Sequence, residues 1–156
     1  MLGIARGTLG LMATLRESVT IAASPDDVWH AVHEDFRNFV RWSTNVRRVE
    51  KVTKGPAGEG TVYRYRLDTP AGEQVLEIEH TEWLKPERCA GEYTRGPISG
   101  TWSYTYAERS GRTRLTYESD FRLTGVLRLM TGAFAPHYAD GVRENLKNLK
   151  RYLEEA

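Results

Sequence analysis

The sequence predicts a single α+β domain in which seven antiparallel strands are combined with two short helices and a long C-terminal helix. Three observations predict this fold: an alternating apolar and polar stretch near residue 15, six strand-like runs between residues 46 and 123, and helical spacing of apolar residues near the C-terminus. The length of 156 residues leaves no room for a second full domain. A net charge of +1 argues against a nucleic-acid partner, and no apolar run is long enough to span a membrane.

Residues 1–14 are expected to form an N-terminal tail, because they show little periodicity and lack the cleavage pattern of a signal peptide. Regular alternation begins at Leu15 and continues to Ile21, and three of the four odd-numbered positions in this segment carry apolar side chains. A period of two indicates a strand with one buried face. The folded domain is therefore predicted to occupy residues 15–156.

Two short helices are predicted after this first strand. Ser24 can cap the first helix, Pro25 suits its first helical position, and the two aspartates that follow lie at the positive end of the helix dipole. A second helix is predicted over about residues 35–42, which contain two phenylalanines. The chain then becomes extended again.

Six further strands are predicted where glycine- and proline-rich turns cut the chain at short intervals. Short connections make neighbouring strands antiparallel, so these runs form a meander. Residues 126–153 carry apolar side chains at steps of three and four and predict a long helix, in which Gly132 and Pro136 are expected to cause a break or kink. The predicted strands of the meander are residues 46–54, 60–68, 73–84, 88–95, 98–108 and 112–123.

Tight turns also predict which residues face each other, because opposite positions in a two-residue hairpin have a constant sum. The predicted pairs are Tyr63 with Ile78, Arg64 with Glu77, Tyr104 with Tyr117, Trp102 with Gly91 and Tyr93 with Gly100. Apolar residues meet apolar residues, large rings meet glycines, and cations meet anions. One face of the sheet is therefore expected to be a solvated surface of ion pairs, and the other face to be aromatic.

The aromatic face contains six tyrosines, which is unusual for a dry core. A buried phenol without a partner costs about 1–3 kcal/mol, and six partners are hard to supply. We interpret this face as the wall of an amphipathic cavity under the long helix, although tyrosines at the rim of an ordinary core would also satisfy the pattern. The predicted ligand-binding residues are Tyr63, Tyr65, Ile78, His80, Tyr93, Trp102, Tyr104, Tyr117, Phe121, Phe134 and Tyr138.

Several segments of the chain resemble the START/SRPBCC superfamily and, within it, the polyketide cyclase/dehydrase-like bacterial proteins. The residues that carry the resemblance are VTIAASPDDVWHAV from Val19, the tryptophan in FVRWSTNVRRVE, GTVYRYRL from Gly60, GPISGTWSYTYAERSGRTRLTYE from Gly96, and ENLKNLKRYLEE from Glu144. The order of elements is similar to that of the helix-grip, or Bet v 1-like, fold, in which the sheet wraps around the C-terminal helix. The resemblance covers nearly all of the chain after Leu15 and implies an internal cavity for lipids, polyketides, isoprenoids or related molecules.

His80 is the candidate catalytic residue, because it is expected on the inner face, opposite Tyr93 and near Thr61. It could transfer protons, contact a ligand or play a structural role. His30, His33 and Glu34 have loosely metal-like spacing, but they are expected on a solvent face with no third ligand, so no metal is predicted. The remaining histidine, His137, is expected either at the cavity mouth or as an exposed residue of the long helix.

Other catalytic chemistries are not indicated by the sequence. The acids of the meander, such as Glu77 and Glu118, are expected on the outer face, where they cannot act on a ligand inside. No phosphate-binding loop is present, and no cofactor is predicted. The single cysteine, Cys89, is expected inward near Tyr104 as a small core residue, and one cysteine is typical of a reducing, cytoplasmic compartment.

Three functions remain open at this point. The first is non-catalytic binding of a small hydrophobic or amphipathic ligand by a monomer or homodimer. The second is a polyketide aromatase/cyclase or dehydratase that uses His80 and cavity tyrosines to move protons. The third, implied by the superfamily resemblance, is a co-chaperone-like module that binds another protein.

Overall fold

The structure is a computed structural model that describes residues 2–7 and 10–156. In this part of the chain, eight antiparallel strands form one sheet with the order β1-β2-β8-β7-β6-β5-β4-β3. The strands are β1 (Leu2–Gly7), β2 (Gly10–Ile21), β3 (Val46–Lys51), β4 (Val62–Thr69), β5 (Gly72–Leu84), β6 (Arg88–Arg95), β7 (Ile98–Arg109) and β8 (Arg112–Leu123).

Short helical segments connect β2 to β3, and a long helix ends the chain. Helix α1 (Pro25–Trp29) starts at the predicted cap, where the Ser24 hydroxyl accepts a hydrogen bond from the backbone N–H of Asp27 at 3.1 Å. A π-helical turn (His30–Glu34) and a 3₁₀ helix (Phe36–Arg41) follow directly. After β8, a 3₁₀ helix (Gly125–Met130) leads into helix α2 (Thr131–Glu154).

All seven predicted strands are confirmed, and the structure adds an eighth. Strand β1 pairs with β2 at residues where the sequence predicts a tail, and β2 begins at Gly10 rather than at Leu15. An edge strand is held by backbone hydrogen bonds to a single neighbour, so its residues need not alternate in polarity. Periodicity therefore gives no signal for this element.

The predicted break in the long helix is absent at Pro136, whereas next to Gly132 the chain changes from the 3₁₀ helix to α2. Helix α2 runs continuously from Thr131 through Pro136. A proline lacks the backbone N–H that would bond to the carbonyl four residues earlier, so Pro136 removes one hydrogen bond near the start of a helix of 24 residues. None of the helices in the described ranges combines the length and apolar character needed to cross a membrane.

The predicted register of the three hairpins is confirmed, including Tyr63 opposite Ile78 and Trp102 opposite Gly91. One prediction of register is wrong: His80 lies opposite Gly91, not opposite Tyr93. The ladder between β5 and β6 contains irregularities between residues 77 and 78 and between residues 80 and 82. An extra residue in one strand shifts every later pair, and turn geometry alone does not reveal it.

The two faces of the sheet differ as the alternation predicts. Cross-strand ion pairs cover the outer face, for example Arg64 with Glu77 at 2.8 Å and Arg16 with Glu118 at 2.7 Å. The inner face carries fully buried side chains such as Leu115 and Phe121, which form one core with the buried side of α2. Burial of this apolar surface is the main stabilising contribution, because exposed ion pairs contribute less than about 1 kcal/mol each.

Candidate ligand-binding cavity and its buried histidines

A cavity of about 130 Å³ lies between the inner face of the sheet and α2. Strands β4, β5 and β7 supply most of the sheet wall, and α2 supplies the opposite wall. The lining is mainly aromatic and aliphatic, with a few polar groups. This composition is typical of a site for a small organic molecule.

Nine of the eleven residues predicted to bind a ligand line this cavity. They are Tyr65, Ile78, His80, Tyr93, Trp102, Tyr104, Tyr117, Phe134 and Tyr138. The other two lie in the packed core beside it. The Tyr63 hydroxyl donates to the backbone carbonyl of His33 at 2.9 Å, and Phe121 packs against the Tyr138 ring with centroids 4.8 Å apart. Alternation identifies the face of a residue but not whether another side chain covers it.

An outer groove of about 650 Å³ adjoins the cavity and shares four of its lining residues. Asn45, Asp68, Thr69 and His137 line both spaces and therefore mark the mouth. His137 lies at this mouth and is also an exposed residue of the long helix, so the two alternatives expected for it are both correct. Neither lysine nor arginine occurs among the described residues that line the cavity or the groove. The groove is formed by a loop, a hairpin and a helix that are distant in sequence, so no local sequence pattern predicts it.

Four hydroxyl groups form a compact network on one wall of the cavity. The Tyr93 hydroxyl lies 2.9 Å from that of Tyr117, 2.8 Å from that of Ser119 and 3.0 Å from that of Tyr138. The hydroxyls of Tyr117 and Tyr138 are themselves 2.7 Å apart. Burial raises the pKa of Tyr93 and of Tyr117 well above the ordinary value, so both phenols stay neutral. The network joins α2 to β6 and β8.

Two other tyrosines of the cavity wall, Tyr65 and Tyr104, lie outside this hydroxyl network. Among the described residues, no hydrogen bond reaches the hydroxyl of Tyr65 or of Tyr104. Burial raises the pKa of both phenols, so each keeps its proton at neutral pH. These two groups are therefore available as hydrogen-bond donors to an oxygen atom of a bound molecule.

His33 is part of the site, which corrects the prediction that it faces solvent. Its side chain is buried, and Nε2 lies 2.6 Å from the Tyr106 hydroxyl, whereas His30 is exposed and pairs with Glu34 at 3.2 Å. In a regular α-helix, residues three apart share a face. The π-helical turn has hydrogen bonds from residue i to i+5 and more residues per turn, so it rotates His33 away from the face of His30.

His80 lies near His33 at the inner end of the cavity, with the two rings 6.0 Å apart. Its Nδ1 lies 3.1 Å from the carbonyl oxygen of Thr61, which confirms the predicted proximity of His80 to Thr61. Burial lowers the pKa of His80 to about 4. Burial also lowers the pKa of His33 well below its usual value, and the nearby His80 adds to this effect. Both imidazoles are therefore neutral at pH 7.

Cys89 occupies the predicted place opposite Tyr104 and is fully buried as a free thiol. Burial raises its pKa far above the ordinary range, so the thiol is protonated and a poor nucleophile. Asp68 is the acidic residue that the described part of the cavity lining contains, and it pairs with Arg47 at 2.6 Å near the mouth. Among the described residues, no carboxylate lies in one cluster with His33 and His80.

A sheet that encloses a lined cavity against a C-terminal helix defines a helix-grip, Bet v 1-like protein of the START/SRPBCC superfamily. Residues 12–154 match the model of a family described as polyketide cyclase/dehydrase and lipid transport, and the chain belongs to this family. The match extends over β2 to α2 and so includes every element that lines the cavity.

Similar proteins include curated mycobacterial relatives and several solved structures. The chain is 27% identical over 143 residues to the uncharacterized protein Rv2574 of Mycobacterium tuberculosis, covering 89% of this chain and 83% of the relative. It is similar in structure to TTHA0849 of Thermus thermophilus, with a TM-score of 0.74, 18% identity and coverage of 88% and 94% of the two chains. The Zhui aromatase/cyclase of Streptomyces sp. R1128 has a TM-score of 0.71, 18% identity and coverage of 91% and 96%.

Proposed function

We propose that the protein binds a small hydrophobic or amphipathic molecule, of lipid, polyketide or isoprenoid type, in its cavity without transforming it. The observation that carries this proposal is a mainly apolar cavity that contains two unpaired tyrosine hydroxyls and adjoins a groove whose lining includes Asp68, Asp140 and Glu144. Apolar surface provides affinity, and a few hydroxyls orient the molecule. The family to which the chain belongs supports this class of ligand.

The dimensions of the site indicate how such a molecule is held. A space of about 130 Å³ accommodates one compact ring or a short branched chain. The outer groove is larger, at about 650 Å³, and can hold the remainder of an extended molecule. We therefore expect the apolar end to enter first, with an oxygen near Tyr65 or Tyr104, and the polar end to stay in the groove.

The charges around the groove favour a neutral polar end over an anionic one. Asp68, Asp140 and Glu144 line the groove, and the arginines that pair with two of them, Arg47 with Asp68 at 2.6 Å and Arg143 with Asp140 at 3.1 Å, are not themselves lining residues. A carboxylate or phosphate there would approach like charges without a direct partner, at a cost reduced by solvent screening. An alcohol, ketone or ester is the better match, so a fatty alcohol should bind several-fold more tightly than the fatty acid of equal length.

The ionisation of the inner groups argues against acid–base catalysis. An effective general acid or base has a pKa near the working pH. Burial moves the pKa of His80 down to about 4 and raises those of Tyr93, Tyr104 and Tyr117. These groups keep one protonation state near pH 7, which suits a binding site better than a proton relay.

A polyketide aromatase/cyclase or dehydratase is the second candidate function. It is favoured by the family description and by the position of His80 in the same cavity as the hydroxyls of Tyr104 and Tyr138. A neutral imidazole can accept a proton, although a pKa of about 4 makes it a weak base. Loss of turnover of a polyketide-like substrate in His80→Gln, with binding retained, would identify this function.

The binding function is tested by an apolar fluorescent probe and two matched tryptophan variants. Val142 lines the cavity, so Val142→Trp should fill it and abolish the saturable rise in probe emission seen with the natural protein. Val52 is 45% exposed and lies outside the described lining, so Val52→Trp should bind the probe normally. Equal binding by both variants, or no emission from the natural protein, contradicts the proposal.

Native mass spectrometry of protein purified from its own host identifies the bound molecule and the number of subunits together. We expect a retained neutral, oxygen-containing apolar molecule on a monomer or homodimer. The free thiol of Cys89 fits a reducing, cytoplasmic location. Recovery of the protein with an anionic lipid as its main retained molecule would contradict the neutral head group.

A further inference from the structure

Three side chains that can bind a metal ion converge at the inner end of the cavity. His33 comes from the π-helical turn, His80 from β5 and Cys89 from β6, and all three are buried. One ligand atom of each lies within 4.8 Å of the others, yet no hydrogen bond joins any two of the three. Three different elements thus bring together two imidazoles and a thiol.

The hydrogen bonds of the histidines leave one nitrogen of each ring without a partner. The Thr61 carbonyl oxygen can only accept, so Nδ1 of His80 carries the proton and donates to it at 3.1 Å. Nε2 of His80 then has a lone pair and no bonded donor among the described residues. On His33, Nε2–H donates to the Tyr106 hydroxyl oxygen at 2.6 Å in the tautomer that can bind a cation, which leaves the lone pair on Nδ1. Such second hydrogen bonds orient metal-binding histidines in proteins.

The surroundings exclude other kinds of ligand for this cluster. No carboxylate belongs to it within the described chain, so it offers nothing to calcium or magnesium, which prefer oxygen. Two neutral nitrogens and one sulfur match a borderline or soft cation. His33 and His80 also line the cavity, which gives a route by which an ion enters from the groove.

We propose that His33, His80 and Cys89 form a binding site for one divalent cation of the zinc class. The three side chains supply three positions of a tetrahedral site, and the fourth faces the cavity, where water or an oxygen of a ligand can bind. Tetrahedral zinc holds its nitrogen and sulfur ligands about 3.3–3.6 Å apart. The ligand atoms now lie within 4.8 Å of one another, so closing the site shortens their widest spacing by at most about 1.5 Å.

Binding converts the Cys89 thiol to a thiolate. The cation forms a bond to sulfur, the S–H bond breaks, and one proton passes to solvent, so no oxidant or reductant takes part. The histidines bind in their neutral forms without losing a proton. Because binding releases this proton, affinity should rise with pH. The metal site is independent of the proposed hydrophobic ligand. Metal-free protein can be assayed separately for probe binding, so failure of one proposal can be distinguished from failure of the other.

The test is titration of tag-free, metal-free protein with Co²⁺, followed by displacement with Zn²⁺. We expect one equivalent to bind with a thiolate-to-cobalt charge-transfer band in the near ultraviolet and with release of one proton. Cys89→Ser should remove the band, and His33→Gln should weaken binding by more than an order of magnitude. His30→Gln is the matched control, because its side chain is exposed and outside the cluster, and it should leave the titration unchanged.

A measurement on the natural protein keeps the proposal testable if Cys89→Ser does not fold. Nitrogen NMR of the imidazole rings should show Zn²⁺-dependent shifts at His33 and His80 but not at His30 and His137. The proposal is overturned if Co²⁺ binding does not saturate, if the charge-transfer band is absent, or if the ring shifts occur only at His30 and His137. Normal probe binding by the same sample would show that only the metal site has failed.

Discussion

The hydroxyl of Tyr106 on β7 lies 2.6 Å from Nε2 of His33 on the π-helical turn, although 73 positions separate the two residues. Both side chains are buried, so each provides the hydrogen bond that the other cannot obtain from water. The contact fixes the first helical segment against the middle of the sheet. It also orients one of the two buried imidazoles at the inner end of the cavity.

Tyr106→Phe should destabilise the protein by about 1–3 kcal/mol, because it leaves a buried ring nitrogen of His33 without a partner. Urea unfolding at pH 7.5 measures the change. Tyr152→Phe is the control, since this half-buried tyrosine of α2 has no hydrogen bond in the described structure. Equal stability of the two variants would show that the contact contributes nothing.

Stability should decrease as the pH falls from about 6.5 towards 4. Burial lowers the pKa of His80 from 6.5 to about 4 and also lowers that of His33, so the unfolded chain binds protons in this range that the folded protein does not. The contribution is complete above pH 6.5 and is lost on acidification, and His80 alone accounts for on the order of 3 kcal/mol. Urea unfolding at pH 7.5, 6 and 5 measures the slope.

His80→Gln should reduce this dependence on pH, whereas removal of the exposed His30 should not. The lowered pKa values of Glu17 and Glu154 affect stability in the same direction, but only below their ordinary value of 4.5. The interval from pH 6.5 to 5 therefore isolates the histidines. A flat stability profile over this interval would contradict the burial of neutral imidazoles.

Tyr138→Phe and Tyr65→Phe should separate stability from binding. The first change removes two hydroxyl contacts, to Tyr117 at 2.7 Å and to Tyr93 at 3.0 Å, and should cost about 1 kcal/mol, because those two phenols still pair with each other. The second removes no hydrogen bond of the described structure and should change the free energy of unfolding by less than about 0.5 kcal/mol. We expect Tyr65→Phe to weaken binding of a fatty alcohol and to leave binding of the apolar probe unchanged. If the fatty alcohol binds as tightly as before, the hydroxyl of Tyr65 has no role in binding.

Gly91→Ala should destabilise the protein by about 1–3 kcal/mol or more. Gly91 is buried opposite Trp102, and a Cβ atom there would overlap the indole ring and the backbone carbonyl oxygen of Glu79. Gly58→Ala is the matched control, because nothing lies within 4 Å of the added atom. Thermal unfolding compares the two variants, and a normal melting temperature for Gly91→Ala would mean that the β5–β6 ladder can adjust.

The predicted strands and hairpin registers agree with the structure because they depend on neighbours in the chain. Short glycine- and proline-rich turns, with alternation on either side, predict pairs such as Tyr104 with Tyr117. The same alternation identifies the inner face, which is why most of the predicted cavity residues do line the cavity. Tyr63 and Phe121 also lie on the inner face, but other side chains cover them, and this depends on packing between elements.

By itself, the sequence determined the fold class, the strands of the meander, the ion-paired outer face and the aromatic inner face, because each follows from local periodicity. Only the tertiary structure decided that β1 pairs along β2, that His80 lies opposite Gly91, and that His33 turns inward. Edge pairing, β-bulges and π-helical turns are selected by contacts between segments far apart in sequence, which periodicity does not record. For the same physical reason, the convergence of His33 and His80 at the end of the cavity emerged only when the first helical segment and the sheet were brought together.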